Sequence, residues 1–541
     1  MKRNWLTSLY LMLALSGTLL SCSDSFLDTK DKNHFTEKDF WKNKADAETA
    51  LSAVYSPIKF QMDGYYGAFN GWLNLNSRGD DIFTVVGEEI AMWNIATFQN
   101  SPSTGQDPFS YLFTGIQRAN VLLANIDKIP ASGISDEDRS MIKSEALTLR
   151  AFQYYLLTTN YGKVPLRLIP SNEDTPNKEA ATEEQLWKQV EEDLKAAIAG
   201  HLPVTRPASE KGRIEKGAAI AMLGKTYAAQ HKYKEAKEQL QLLLAAPYTY
   251  ELVEDYAANF TTKMENNAES LFELQYSQDG RDTWGNEDGI NLGSTIPQFI
   301  GSVTSGGWSK LMPSAYLVGQ FVKELRPQGA DTKFDKRMYA SLFFDPQTYG
   351  DVVPNEKWYG GNLSMDDLWD GNAPKMSGGV PTYSVNGIPG KFLLKKYTAY
   401  YVNERNADLM SNKEGKSNNV RVLRFAEVLL LYAEACAKTN DVQGANEALK
   451  RIRQRAGLEE KTFTQDQLMD EIQRQNLLEF FGEGHRFDDL KRWYTTAEIQ
   501  QIFRANEKQG AGNFQEKHRY YPIPLSELNA NSGMKQNPLW Q

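Results

Sequence analysis

Residues 475–493 read QNLLEFFGEGHRFDDLKRW, and the fold turns on how that stretch is understood. Leu477, Leu478, Phe480 and Phe481 crowd its first half. Phe487, Leu490 and Trp493 recur every third residue across its second, the spacing of one helix face. Gly482 and Gly484 flank Glu483 between them, and glycine lets a backbone turn where a Cβ would strain it. The stretch therefore predicts two helical segments meeting at a corner. A charged set follows the turn: His485, Arg486, Asp488, Asp489, Lys491 and Arg492. It reads either as a catalytic acid–base cluster or as ion pairs that close locally and lock the corner. Structural ion pairs of this kind are common, and the second reading is adopted.

Outward from the corner the helical period continues. Residues 421–455 predict two helices, with Asp441 capping the second. Cys436 lies in an apolar helical run and is expected to be a small core residue. Further upstream, Leu223-Gly224-x-x-Tyr227 followed by Ala236-x-x-x-Leu240 matches the tetratricopeptide pattern of paired helices. A looser copy reads Tyr432-Ala433-x-x-Cys436, then Ala445-x-x-x-Leu449. Stacked helix pairs share a core only with their neighbours, so the two sets are expected to pack together with the intervening chain looped out. Three capping patterns open helices nearer the start: Thr36…Asp39, Ser135…Asp138 and Thr182…Gln185. Another helix is expected over residues 107–129.

At 541 residues and 41% hydrophobic, the chain can bury a large core. A net charge of −9 without a basic run argues against nucleic acid as a partner. The five His are scattered, with no His-Glu-x-x-His and no Cys-x-x-Cys, so no zinc site is expected. There is no phosphate-binding loop and no dinucleotide fingerprint, so no cofactor is expected; whether a metal ion braces a loop is not readable. A glycosidase needs only two facing carboxylates, and 69 acidic residues make that test powerless. At the N-terminus Lys2 and Arg3 precede an apolar run over residues 5–20, too short to span a membrane and suited to a secretory leader. The run ends Leu19-Leu20-Ser21-Cys22, which resembles a lipoprotein cleavage box and makes Cys22 the expected lipidated residue. The chain is thus divided into a leader (1–21), a tether (22–35), a helical-repeat part (36–258), an irregular aromatic and Gly-rich insert (259–419) and a C-terminal helical part (420–541).

The insert supplies the candidate site. Long loops in a compact protein are usually functional or disordered, and aromatic-rich composition argues against disorder. Trp284 stands before Gly285, and Trp308 follows Gly306-Gly307. Trp93, in Met92-Trp93-Asn94, falls in an earlier helical gap, where Tyr65, Tyr66 and Trp72 are substitutes for it. An indole offers an apolar face to the C–H side of a pyranose, and neighbouring planar polar groups can pair with its hydroxyls. Arg78, Asp80, Asp81 and Asn94 are the nearby candidates. The alternative is that these Trp pack down as small loop cores, and the residues alone leave both readings open.

The corner also carries a resemblance. Leu478-Glu479-Phe480, Gly482-Glu483-Gly484-His485-Arg486 and Asp489-Leu490-Lys491-Arg492-Trp493 resemble the C-terminal signature of the SusD/RagB family of surface glycan-binding lipoproteins. Residues 424–435, Tyr521-Pro522-Ile523-Pro524 and Gln536-Asn537-Pro538 are similar to further runs of that family. The resemblance implies a mainly α fold, with tetratricopeptide-like helix pairs packed as a right-handed superhelical scaffold and a long loop-rich insert. It implies a non-catalytic protein on the outer surface of a Bacteroidetes outer membrane, held there by an N-terminal lipid anchor. Such a protein would bind oligosaccharide or polysaccharide, partner a SusC-like TonB-dependent transporter, and close over it with the helix pairs facing the barrel. Because family glycan sites draw aromatics from these same regions, the glycan-binding set is expected to be Trp308, Trp284, Trp93, Asp80, Arg78 and Asn94. Three other readings stand beside it: a scaffold lipoprotein that binds only proteins, a peptide-binding member of the family, and a glycoside hydrolase.

Overall fold

The computed structural model describes residues 40–62, 72–85, 90–104, 108–277, 293–370, 381–402 and 417–541. Cys22, Tyr65, Tyr66, Trp284, the Thr36…Asp39 cap and the side chain of Trp72 lie outside the described residues.

Among the described residues nine principal helices build the stack: α1 (Lys44–Met62), α2 (Phe109–Asn125), α3 (Asp136–Tyr161), α4 (Glu183–Ala199), α5 (Lys216–Ala229), α6 (Tyr233–Leu242), α7 (Phe425–Lys438), α8 (Val442–Arg455) and α9 (Gln465–Phe480). Local chemistry sets several of their starts. Ser135 accepts from the Asp138 N–H, Thr182 and Gln185 form a reciprocal capping box, and Asp441 accepts from the Gly444 N–H. Each cap satisfies an N–H that the first helical turn leaves open. Helix packs on helix in sequence: α1 on α2 and α3, α2 on α3, α3 on α4, α4 on α5, α5 on α6. Then α6 packs directly on α7, although more than 180 residues separate them in the chain. The two helix-pair sets do share one core.

Small residues make the close approaches. A Cβ on Gly224 would stand 2.6 Å from the Leu240 side chain, and one on Gly444 would stand 2.9 Å from the Cys436 sulfur. Cys436 is fully buried, and burial pushes its thiol up to about 12, so it is an inert core residue. One continuous apolar core runs from Ala47 to Met534 through the helix stack and the insert. A second, smaller core joins Phe98 to Phe487, Phe503 and Phe514.

The insert is stitched into this stack at several points. Strand β2 (Ser270–Leu274) runs antiparallel to β4 (Val420–Arg424), with Ser270 opposite Arg424 and Leu274 opposite Val420. The chain therefore leaves for the insert and returns from it at one place, immediately before α7. Strand β1 (Ile82–Thr84), from the N-terminal part, pairs antiparallel with β3 (Leu311–Pro313) of the insert. The N-terminal part thus contributes to the same body as the loops.

At the corner, α9 ends at Phe480 and α10 spans Arg486–Trp493, followed by α11 (Thr496–Ala505). Gly482 and Gly484 take φ of 73° and 83°, the left-handed region where glycine is favoured. The expectation that the corner charges pair locally is only partly met. Asp488–Lys491 and Asp489–Arg492 are local pairs, each at 2.8 Å. The others reach across the molecule: Arg486 to Asp80, Arg492 to Glu434, and Glu483 to both Arg424 and Lys396. Glu483 and Asp489 are buried and Arg486 and Arg492 nearly so. Such charges must be paired wherever the core offers a partner.

Arg424 is the hub of that arrangement. Its guanidinium donates to Glu269 (2.7 Å), to both oxygens of Glu483 (2.8 Å each) and to Glu479. Glu479 also receives Arg337 at 3.1 Å and pairs with Arg455. Lys396 donates to Glu483 and to the carbonyls of Glu479 and Phe481. Asp335 closes the set on Arg337 at 2.6 Å. Four cations face four carboxylates, all buried. Glu269, Asp335, Arg337 and Lys396 come from the insert, and the other four from the C-terminal part. Their arginines hold the Glu479 carboxyl far below its ordinary range, while burial brings Lys396 down to about 8.

Candidate functional site

Trp308 sits in a loop that folds on itself. The helix Ile296–Ile300 leads into it, and the chain then doubles back. The Trp308 N–H donates to the Gln298 carbonyl at 2.8 Å, the Ser309 N–H to the Gly301 carbonyl at 2.9 Å, and the Lys310 N–H to the Phe299 carbonyl at 2.8 Å. Inside the loop, the Gly307 N–H donates to the Ser302 carbonyl and the Gln298 side-chain amide to the Gly306 carbonyl. A Cβ on Gly307 would stand 2.2 Å from the Gly301 oxygen, so a glycine is required there. These bonds leave the loop little freedom.

The indole of Trp308 is half-buried and packs edge-on against Phe299, centroids 5.0 Å apart at 75°. The Lys310 ammonium lies 5.9 Å from its ring centre. The Thr304 hydroxyl ties the loop to the Asp367 carbonyl, in the short helix Met365–Asp370 that carries the half-buried Trp369. Trp308 is therefore both a packed residue and a partly exposed platform, and each of the two readings of a loop Trp describes one side of it.

Trp93 and Asn94 are half-buried on the helix Ile90–Ala96, whose Met92, Ile95 and Ala96 face inward. The C-terminal segment holds this helix: the Lys508 ammonium donates to the Ala96 carbonyl at 3.0 Å and the Asn513 amide to the Thr97 carbonyl at 3.0 Å. The β1–β3 ribbon links it to the Trp308 loop, because the Val85 N–H donates to the Lys310 carbonyl. In the sequence Trp308 precedes Lys310 by two residues and Trp93 follows Val85 by eight.

Arg78 and Asp80 turn their side chains into the core, and here the sequence expectation is corrected. Arg78 is buried, with its guanidinium between the rings of Phe487 (3.9 Å) and Tyr521 (4.3 Å), and it donates to the His518 carbonyl at 2.6 Å. Asp80 is fully buried; Arg486 grips it with two hydrogen bonds (2.6 and 3.0 Å) and Asn506 adds a third at 2.7 Å. These partners hold the Asp80 carboxyl below its ordinary range despite burial. Both side chains fasten the N-terminal segment to the corner and present nothing to a ligand. Asp81 is also buried; burial and the Asp80 charge push it up to about 7, and among the described residues one of its oxygens has no hydrogen-bond partner.

One further neighbourhood bears on the site. The Lys59 ammonium lies 4.6 Å over the Tyr276 ring, and the Tyr276 N–H donates to the Asn419 side chain at 2.7 Å. Residues 59, 276 and 419 thus meet, each within a few positions of a segment outside the described residues. Among the described residues no group of His, Cys, Asp and Glu is arranged to hold a metal ion.

Comparison with known proteins accords with this geometry. A family model described as "SusD family" matches residues 268–540, and one described as "Starch-binding associating with outer membrane" matches residues 25–228. The "Starch-binding protein SusD" of Bacteroides thetaiotaomicron is 25% identical over 510 residues, 88% of this chain and 86% of its own. The crystal structure of a SusD superfamily protein from Bacteroides vulgatus is 26% identical, with a TM-score of 0.76 over 92% of this chain and 99% of that one. A structure titled "Laminarin binding SusD-like protein" is 25% identical, with a TM-score of 0.70 over 92% of this chain and all of that one.

Proposed function

The chain belongs to the SusD family, and on that premise we propose that it binds oligosaccharide through the Trp308 face, without cleaving it, and delivers it to a SusC-like TonB-dependent transporter. The observation that carries the reading is Trp308 itself. It is a half-exposed indole held by a hydrogen-bonded loop whose backbone turns require glycine. An aromatic face that is already immobile loses little conformational freedom when a sugar stacks on it. Trp93 and Asn94, carried on the helix Ile90–Ala96, and Trp284 complete the proposed binding surface. The relatives named for starch and laminarin support a glucan as the first ligand to try. Lipid on Cys22 would hold the protein at the outer-membrane surface. Among the described residues no helix is long and apolar enough to cross a membrane.

The test is retardation in native gels containing laminarin, starch or other polysaccharides, using the soluble form that starts after Cys22. Trp308→Ala runs beside it. Retardation by one glycan that weakens about 30-fold in the variant, roughly 2 kcal/mol, fixes ligand class and site together. Undiminished retardation of Trp308→Ala would remove this face from the mechanism. Reducing ends released from the retarding glycan would replace binding with hydrolysis.

A further inference from the structure

A groove of about 660 Å³ opens between the helix Ala315–Val322, α9 and α11. No residue of the Trp308 loop lines it. Its volume lies in the range of small-ligand pockets, about 300–1,000 Å³. Most charged groups of its walls are paired with one another or with groups behind the wall, while Lys323 and Asp470 are exposed lining residues of opposite charge. Glu324 takes Arg453 at 2.6 Å, Lys461 at 2.7 Å and Arg474 at 2.8 Å, which together hold its carboxyl at about 2. Arg486 is held by Asp80. An ionic ligand would have to break these pairs and strand a partner, which is costly in a half-buried wall.

Between these pairs the groove offers uncharged groups. The rings of Tyr316 and Tyr494 are half-buried in its lining, and Gln320, Gln467, Gln473 and Asn506 bring carboxamides. Some of these groups are already oriented. The Tyr494 hydroxyl donates to the Gln473 carbonyl oxygen at 2.6 Å, Asn506 donates to Asp80, and the Gln467 oxygen accepts from the Thr464 N–H. Each amide keeps its opposite end for a ligand, donor in Gln467 and Gln473, acceptor in Asn506. Among the described residues the Arg474 Nε, buried in the wall, has no hydrogen-bond partner. Aromatic faces with fixed donors and acceptors suit a polyhydroxylated neutral molecule.

We propose that this groove, formed by Tyr316, Gln320, Gln467, Gln473, Tyr494 and Asn506, is a second subsite for a neutral oligosaccharide, independent of Trp308. The ligand class rests on the glycan-binding reading above; the site does not.

Hydrogen exchange with laminarihexaose and with maltohexaose, on the soluble full chain, reads the two places separately. The expected result is slowed exchange over residues 315–324 and 494–506 with at least one hexaose. That protection persists in Trp308→Ala and is lost in Tyr494→Ala and in Gln467→Ala, the latter an exposed rim position. Binding stoichiometry by calorimetry falls by half in either groove variant. Protection confined to residues 298–310, or groove protection that vanishes in Trp308→Ala, overturns the second subsite while leaving the Trp308 reading intact. Groove protection without any change at 298–310 does the reverse. A groove unprotected by both hexaoses but protected by a mixed peptide library also overturns the proposal.

Discussion

The Arg424 hub and the Trp308 loop solve opposite problems. At the hub four cations and four carboxylates are sealed from water, and the set they form joins two parts of the chain. In the loop the backbone satisfies itself and the one large side chain is left half in solvent. The hub spends its polar groups on internal order, and the loop keeps its aromatic face for something outside. Rigidity alone therefore does not mark a binding site, since both regions are rigid; what marks it is order that leaves a surface unused.

The sharpest break in this contrast is Arg424→Ala. It strands Glu269, Glu479 and Glu483 without their common cation and is expected to cost about 3–5 kcal/mol. Urea denaturation of the soluble form gives the number, and glycan affinity of the folded fraction should stay at the wild-type value. Trp308→Ala is its mirror, with affinity lost and the urea midpoint nearly kept. Asp80→Asn comes next. Removing the charge leaves Arg486 buried and unpaired, at about 2–3 kcal/mol. If the urea midpoint held while glycan affinity fell, Asp80 would move from the hub's side of the contrast to the loop's.

The smallest effect concerns pH. The Asp81 carboxyl titrates at about 7 in the fold against 3.8 as a free side chain. A raised pKa means that the folded protein binds a proton which the unfolded chain has released, so the contribution of Asp81 to stability is greatest below pH 4 and is lost as pH rises to 7. Asp81→Asn should flatten this slope by on the order of 1–2 kcal/mol across that window. Lys508, brought down to about 8, acts only above it. Identical slopes in wild type and variant would show that Asp81 is ionised in the fold.

Sequence made the near contacts legible and left the distant ones hidden. Ser135, Thr182 and Asp441 could be read as caps because the group each one satisfies lies three residues away. The approach of Gly224 to Leu240 followed from a known spacing. Arg78 and Asp80 were misassigned because polar residues near loop aromatics look alike whether they face solvent or core. Asp80 meets Arg486 across 406 positions, and no local pattern encodes such a pair. The corner charges failed for the same reason, with only their two i,i+3 pairs foreseeable. The groove went unseen because its walls come from three stretches, none of them unusual alone.

The β2–β4 ribbon has a consequence for how such proteins can change over time. Ser270 and Arg424 are ladder partners, so everything between them is a closed excursion whose two ends are clamped side by side. The cost of closing a loop rises only logarithmically with its length, about 0.6 kcal/mol for each doubling. Stretches between the clamp and the hub residues can therefore lengthen, shorten or be exchanged while the helices beneath stay in register. On the glycan-binding reading proposed above, rewriting these stretches would change the ligand and keep the helices.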